Sequence, residues 1–308
     1  MTGSATIFTN LSQVVTCETG DESCVRAGVA VVVLDGRIAA IDEDAVLAGA
    51  HPTAARIDGA GGVLTPGFVD SHTHAVFGKY RADEYALRSS GVPYMEIARR
   101  GGGIQASVRD VRARTEDDLV ELTRPRLQTM LRLGTTTAEV KSGYGLSTMD
   151  EIKQLGVVRR LAAELPLRLI PTLLAAHEVP PEFRDRRDAY VDLVCDETIP
   201  AVAGEELARF CDVFMEPGVF DGAQTRRILE AGLMHGLTPR LHADELEHSG
   251  AAELAAALGA ASADHLGAIS NEGIAALAAS GTVATLLPGT LFFLGRTRYA
   301  PARALRDA

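Results

Sequence analysis

A chain of 308 residues with 46% hydrophobic and 23% charged content is long enough to bury one large core or two smaller ones. Its formal charge of −11 argues against nucleic acid or an anionic membrane surface as a partner, and no apolar run reaches the roughly 18 residues of a membrane span. The opening MTGSATIFTN has no basic region ahead of an apolar block, and Cys17, Cys24, Cys195 and Cys211 form no CxxC pair, so a cytoplasmic protein with reduced, structural thiols is expected.

Residues 1–63 read as a small β module. Ala27–Leu34 and Arg37–Ile41 flank Asp35-Gly36, a strong two-residue hairpin signal. From residue 64 to 308 the pattern changes to strands alternating with helices, the signature of a parallel α/β architecture. The strands expected are Leu64–Asp70, Thr135–Val140, Arg168–Leu174, Asp212–Glu216, Thr238–His242, Ala261–Asp264 and Thr282–Leu287. Between them, Thr115–Leu133 has a capped start and a Pro125 that should kink or shorten it. Ser147–Leu165 opens on an N-cap with Asp150 three residues on, and Ala251–Leu258 is rich in helix formers.

The first of these strands ends in His72-Thr-His74. Residues two apart on a strand share a face, and imidazole is the commonest protein ligand for a transition metal; the plain alternative is two histidines on an ordinary loop. The other chemistry-bearing residues also fall just after strands: Tyr144, His177, His242 with Glu245, and His265. Placement at the C-terminal ends of strands is where a (β/α)₈ barrel builds its active site. A doubly wound sheet competes, but its Gly-rich dinucleotide fingerprint is missing, and Gly101-Gly-Gly103 reads as a flexible loop. Seven strands are visible where a barrel needs eight, so the expectation is a TIM-type barrel lacking its eighth strand beside the N-terminal β module.

His242 in Leu241-His-Ala-Asp-Glu245 is a third candidate metal ligand, giving three imidazoles with positions left open for chemistry. Glu245 can orient a metal-activated water or shuttle its proton; Asp244 reads as a group steadying a ligand from behind. After Ser262-Ala-Asp264, His265 could polarise a carbonyl, or Asp264 could be the interacting residue with His265 merely packed. His177 contacts substrate or is a satisfied loop histidine. Arg81, seven residues after His74, could hold a substrate carboxylate. Tyr144, between Gly143 and Gly145, could present its phenol to a ligand.

Together the segments PGFVDSHTHAVFG, the Arg81 loop, Tyr94-Met-Glu-Ile97 with GGGI, EVKSGYGL, AAHEVPPE, CDVFMEPGVF, LHADE, SADHL, LLPGTLFFLG and YAPAR resemble the amidohydrolase superfamily and, within it, the imidazolonepropionase family. The resemblance runs from about residue 60 to 301. HxH marks only the superfamily, whereas SGYGL, AAHEVPPE and LLPGTLFFLG are far more specific. It implies hydrolysis of 4-imidazolone-5-propanoate to N-formimidoyl-L-glutamate at one zinc or iron ion per subunit, with a homodimer as the suggested assembly. Carried over by position, His72, His74 and His242 would be metal ligands. Arg81, Tyr144, His177 and Glu245 would hold the carboxylate-bearing substrate, and Glu245 and His265 would act at the carbonyl. Members of the family continue into an eighth strand ending in a metal-binding aspartate. This sequence ends before it, so a fragment with little or no activity is expected. Two readings compete: another cyclic amidohydrolase or heterocycle deaminase, whose neutral base would give Arg81 no carboxylate, and a non-catalytic metal-binding relative.

Overall fold

The computed structural model describes residues 5–18, 24–92, 96 and 101–308; Tyr94, Met95 and Ile97 of the motif above lie outside them. The chain divides into two compact units, Met1–Phe68 and Val69–Ala308.

The first unit is built from β1 (Ala5–Thr9), β2 (Gln13–Val15), β3 (Val25–Ala27), β4 (Val29–Leu34), β5 (Arg37–Glu43), β6 (Ala55–Asp58) and β7 (Val63–Leu64). They form a four-stranded sheet in the order β5-β4-β1-β6 and a three-stranded sheet in the order β3-β2-β7. Asp35 and Gly36 turn the β4–β5 hairpin with φ of 50° and 75°, the two positive values a type I′ turn demands. Gly28, at φ 70°, divides the expected Ala27–Leu34 strand between β3 and β4. Ile7, Ala30, Val32 and Leu47 close a small core.

The second unit carries β8 (Phe68–Asp70), β9 (Thr135–Lys141), β10 (Arg168–Ala176), β11 (Phe210–Met215), β12 (Thr238–Ala243), β13 (Ser262–His265) and β14 (Val283–Leu286). They form one sheet in sequence order, and the pairings from β9 through β14 are all parallel. Parallel neighbours need crossovers, which helices supply; Thr148–Glu164 joins β9 to β10, and Gly222–Met234 joins β11 to β12. The result is the seven-stranded sheet of a TIM-type barrel, with its strand C-termini on one side.

The expected strand Leu64–Asp70 is split. Val63 and Leu64 pair with Gln13 and Val14, and only Phe68–Asp70 joins the large sheet. Pro66 cannot donate to a ladder, so the chain breaks there. Among the described residues β8 is the edge of this sheet, and its Val69 is 65% exposed.

Pro125 does not shorten its helix, which runs from Glu116 to Arg132. The face formed by Leu119, Val120, Thr123 and Leu127 is buried, and tertiary packing outweighs one lost N–H. At its start Thr115 accepts from Asp118 N while the Asp118 side chain accepts from Thr115 N, a reciprocal capping box. Among the described residues no helix is long and apolar enough to cross a membrane.

Removing that box by Thr115→Ala should cost about 1 kcal/mol, read as a lower urea midpoint at unchanged m-value; an unchanged midpoint would show that the cap contributes nothing.

Candidate active site

His72 and His74 stand just beyond β8 rather than within it, yet their Nε2 atoms come to 3.3 Å. His242, near the end of β12, brings its own Nε2 to 3.4 Å from that of His74. Ligand nitrogens at about 2.0–2.1 Å from a tetrahedral zinc stand roughly 3.4 Å apart, so the spacing of these atoms fits a single ion.

The far side of two of the rings sets their tautomer. His72 Nδ1–H donates to Asp264 Oδ2 at 2.7 Å, and His242 Nδ1–H donates to Asp212 Oδ1 at 3.0 Å. With Nδ1 carrying the proton, Nε2 keeps its lone pair for a cation. His74 Nδ1 is buried with no hydrogen-bond partner among the described residues. Burial holds His72 and His74 well below the ordinary imidazole range, and for His72 the Lys141 ammonium acts in the same direction. Neutral imidazoles are the form a metal binds. Burial pushes the carboxylates the other way, but they remain ionised: Asp212 lies far below the usual range because His242 and Lys141 outweigh burial, and Lys141 and Arg240 hold Asp264 at about 2.

The remaining expected residues gather at the same centre, with one exception. The ring of His265 is 5.0 Å from those of His72 and His242, and its Nδ1 is 3.6 Å from Glu245 Oε1. Both its ring nitrogens are buried without a hydrogen-bond partner among the described residues. Its φ of 79°, followed by 60° at Leu266, puts two non-glycine residues in the left-handed region, strain that marks functional turns. Thus Asp264 engages His72 while His265 is aimed at Glu245. His177 stacks on His74 at 4.9 Å and donates from Nδ1 to Gly143 O at 3.0 Å, so it is both satisfied and part of the cluster. The Tyr144 ring lies 5.6 Å from His74 and 5.4 Å from His177. Arg81 is the exception: among the described residues its guanidinium pairs with Glu84, at 3.6 Å, and has no contact with the imidazoles.

Two loops are held from behind by buried side chains that local spacing does not reveal. Glu151, on helix Thr148–Glu164, accepts from Gly143 N, Gly145 N and Leu146 N at 2.7–2.9 Å. Gln154, one turn on, accepts from Tyr144 N at 3.0 Å and donates to Val76 O at 2.9 Å. Gly145 fits only without a side chain, because a Cβ there would meet Asp150 C at 2.5 Å. Glu216 accepts from Glu245 N, Leu246 N and Glu247 N at 3.2, 3.4 and 2.7 Å, fixing the segment that carries Glu245. Of these only Glu216, at the end of the apolar run Val213–Met215, carries a sequence signal; Glu151 and Gln154 sit beside Asp150 and Lys153 and look like ordinary helix-surface residues.

Asp244 does not steady a metal ligand. Its carboxylate accepts from Ser249 N, Ser249 Oγ and Ala252 N, closing the turn into helix Ala251–Ala257. Asp244, His248 and Glu253 also lie close enough to share a cation, but these bonds already occupy both Asp244 oxygens.

No family model matches the chain. Individual relatives do. The imidazolonepropionase of Myxococcus xanthus is 48% identical over 307 residues, covering 97% of this chain and 73% of that protein. The imidazolonepropionase of Symbiobacterium thermophilum is 52% identical over 288 residues, covering 92% and 68%. Among solved structures, an adenosine deaminase from Xanthomonas campestris with bound zinc aligns with a TM-score of 0.64 at 18% identity, over 98% of this chain and 66% of that one. An atrazine chlorohydrolase from Arthrobacter aurescens, complexed with zinc and atraton, aligns with a TM-score of 0.67 at 16% identity, over 98% and 69%. These two share the fold.

Burial raises the Glu245 carboxyl to about 7. A folded-state value above the unfolded 4.5 means the folded protein holds this proton more tightly, so stability falls as pH rises from about 4.5 to about 7 and then levels off. Glu245→Gln removes that dependence. In urea denaturation of metal-free protein, the stability of the variant relative to the parent should rise by about 2–3 kcal/mol from pH 5 to pH 8; a pH-independent difference would contradict the buried-carboxyl assignment.

Proposed function

The chain belongs to the imidazolonepropionase family of metal-dependent hydrolases, which cleave a cyclic amide in histidine degradation, and from that premise we propose how its own residues divide the work. His72, His74 and His242 hold one zinc or iron ion. The observation that carries this is the convergence of ring nitrogens of three histidines within 4.8 Å of one another, with the Nε2 atoms of His72 and His242 at 3.3 and 3.4 Å from that of His74 and both those rings turned by carboxylates. The bound ion supplies Lewis acidity, which lowers the pKa of water and polarises a carbonyl.

Arg81 receives the substrate propionate in a charge-assisted pair, exchanging its contact with Glu84 for the ligand carboxylate. This remote contact sets the position of the ring. Tyr144 and His177, side by side against His74, flank the imidazolone. His265 faces the ring carbonyl and steadies the negative charge that develops on its oxygen. With its carboxyl near 7, Glu245 is matched to taking a proton from the attacking water and returning it to the departing ring nitrogen at neutral pH. Scission of that C–N bond gives N-formimidoyl-L-glutamate. Glu216 and Glu151 touch no reacting atom; they hold the backbone from which Glu245 and Tyr144 project.

The test follows loss of 4-imidazolone-5-propanoate and appearance of N-formimidoyl-L-glutamate with the metal-loaded chain, at protein concentrations high enough to read the low turnover expected of it. His242→Ala should remove both bound metal and turnover. Arg81→Met should lower kcat/KM by roughly 10- to 100-fold, the equivalent of one charged hydrogen-bonding group, mostly through KM. Turnover of an imidazolone lacking the carboxylate should be insensitive to Arg81→Met. Equal losses on both substrates would remove Arg81 from its role and favour a neutral heterocycle as the natural substrate.

A further inference from the structure

Lys141, the last residue of β9, has a fully buried side chain and no part in the chemistry above. Its Nζ donates to Glu139 Oε1 at 2.8 Å and to Asp212 Oδ2 at 2.7 Å, and lies 3.6 Å from Asp264 Oδ2. Each of these three carboxylates also touches a segment that carries a candidate metal ligand. Asp212 Oδ1 accepts from both Nδ1 and the backbone N of His242. Asp264 Oδ2 accepts from Nδ1 of His72. Glu139 Oε2 accepts from the backbone N of Thr73, between the two histidines, at 3.3 Å. The Lys141 backbone N–H completes the frame by donating to Thr73 O at 3.0 Å.

We propose that Lys141 is a positioning residue for the metal: acting through Asp212, Asp264 and Glu139, it sets the orientation of His242 and His72 and thereby the site's affinity for a divalent cation. The inference rests on the three-histidine reading of the metal site. Physically, a single buried ammonium donates to Glu139 and Asp212 and attracts the Asp264 carboxylate at 3.6 Å, tying acidic groups on β9, β11 and β13 to one point. Without it, Asp212 loses a partner on one oxygen and is free to rotate the other away from His242. Arg240 cannot substitute, since its guanidinium donates to Asp264 and Ser71 O and has no bond to Asp212. Partners of metal-bound histidines typically govern affinity by 10- to 100-fold.

The experiment is a Zn²⁺ titration of metal-stripped full chain against a chromophoric chelator, with a parallel Co²⁺ titration read in the visible ligand-field bands. Lys141→Met should weaken Zn²⁺ about 10- to 100-fold and shift the Co²⁺ bands, while the far-UV circular dichroism of the metal-free protein stays that of the parent. Parent-like affinity and bands in folded Lys141→Met overturn the proposal. If that variant does not fold, because it leaves buried carboxylates unpaired, the comparison moves to Asp212→Asn and Asp212→Asn/Lys141→Met. There, loss of the lysine should still weaken Zn²⁺ severalfold through Asp264, and equal affinity of the two overturns the proposal. His242→Ala separates the two claims: if it binds Zn²⁺ as the parent does, the three-histidine site itself is wrong, whatever Lys141 does.

Discussion

Charge buried without water must find its partners inside the protein, and here that constraint falls on one cluster. Lys141, Asp212, Glu139, Asp264 and Arg240 are all buried, on β9, β11, β12 and β13. Each ion taken from water costs several kcal/mol unless its partners are in place, and none of these residues has a partner on its own strand except the Glu139–Lys141 pair. Folding the barrel and neutralising the cluster are therefore one event. The sheet register serves it: Asp212 lies beside Arg240, and His242 lies beside Asp264, so a slip of one residue would send these groups to the opposite face. The cluster is an expensive way to fill a core. Its chemical return is a pair of imidazoles with a defined tautomer.

Local physics made the outline of this arrangement readable in the sequence. The Asp35-Gly36 turn, the capped helix starts at Thr115 and Ser147 and the alternation of strand and helix depend on residues within a few positions of one another, and each was anticipated. So was the gathering of His72, His74, His177, His242, Glu245 and His265, because strand ends in a parallel barrel converge whatever the loops do. The support of the site was not legible. Lys141 and Asp212 are 71 positions apart, and His72 and Asp264 are 192 apart; a lone charge in an apolar strand announces that some partner exists without naming it. The split of Leu64–Asp70 and the full length of the helix around Pro125 escape local reading for the same reason, since which sheet a strand joins and which face a helix buries are decided by distant neighbours.

Asp244 and Asp264 illustrate how little adjacency settles. Both neighbour a histidine or a glutamate of the site in sequence. Asp264 reaches across to His72, whereas Asp244, at a left-handed φ of 48°, turns away to tie down Ser249 and Ala252. Direction, set by the backbone at the strand end, separates a residue that serves the centre from one that serves the next helix.

Gln154 joins two segments through opposite ends of one amide, receiving from Tyr144 N and giving to Val76 O. Only a group that both donates and accepts can do this. A carboxylate of the same shape would meet the Val76 oxygen with a lone pair, and a hydrocarbon would leave two buried backbone groups unmet. The position therefore tolerates almost no chemical drift, although it touches no atom of any ligand. It also adds to the Thr73 contacts with β9 a further tie between the wall presenting Tyr144 and the strand exit presenting His74, so a displacement of one is felt by the other.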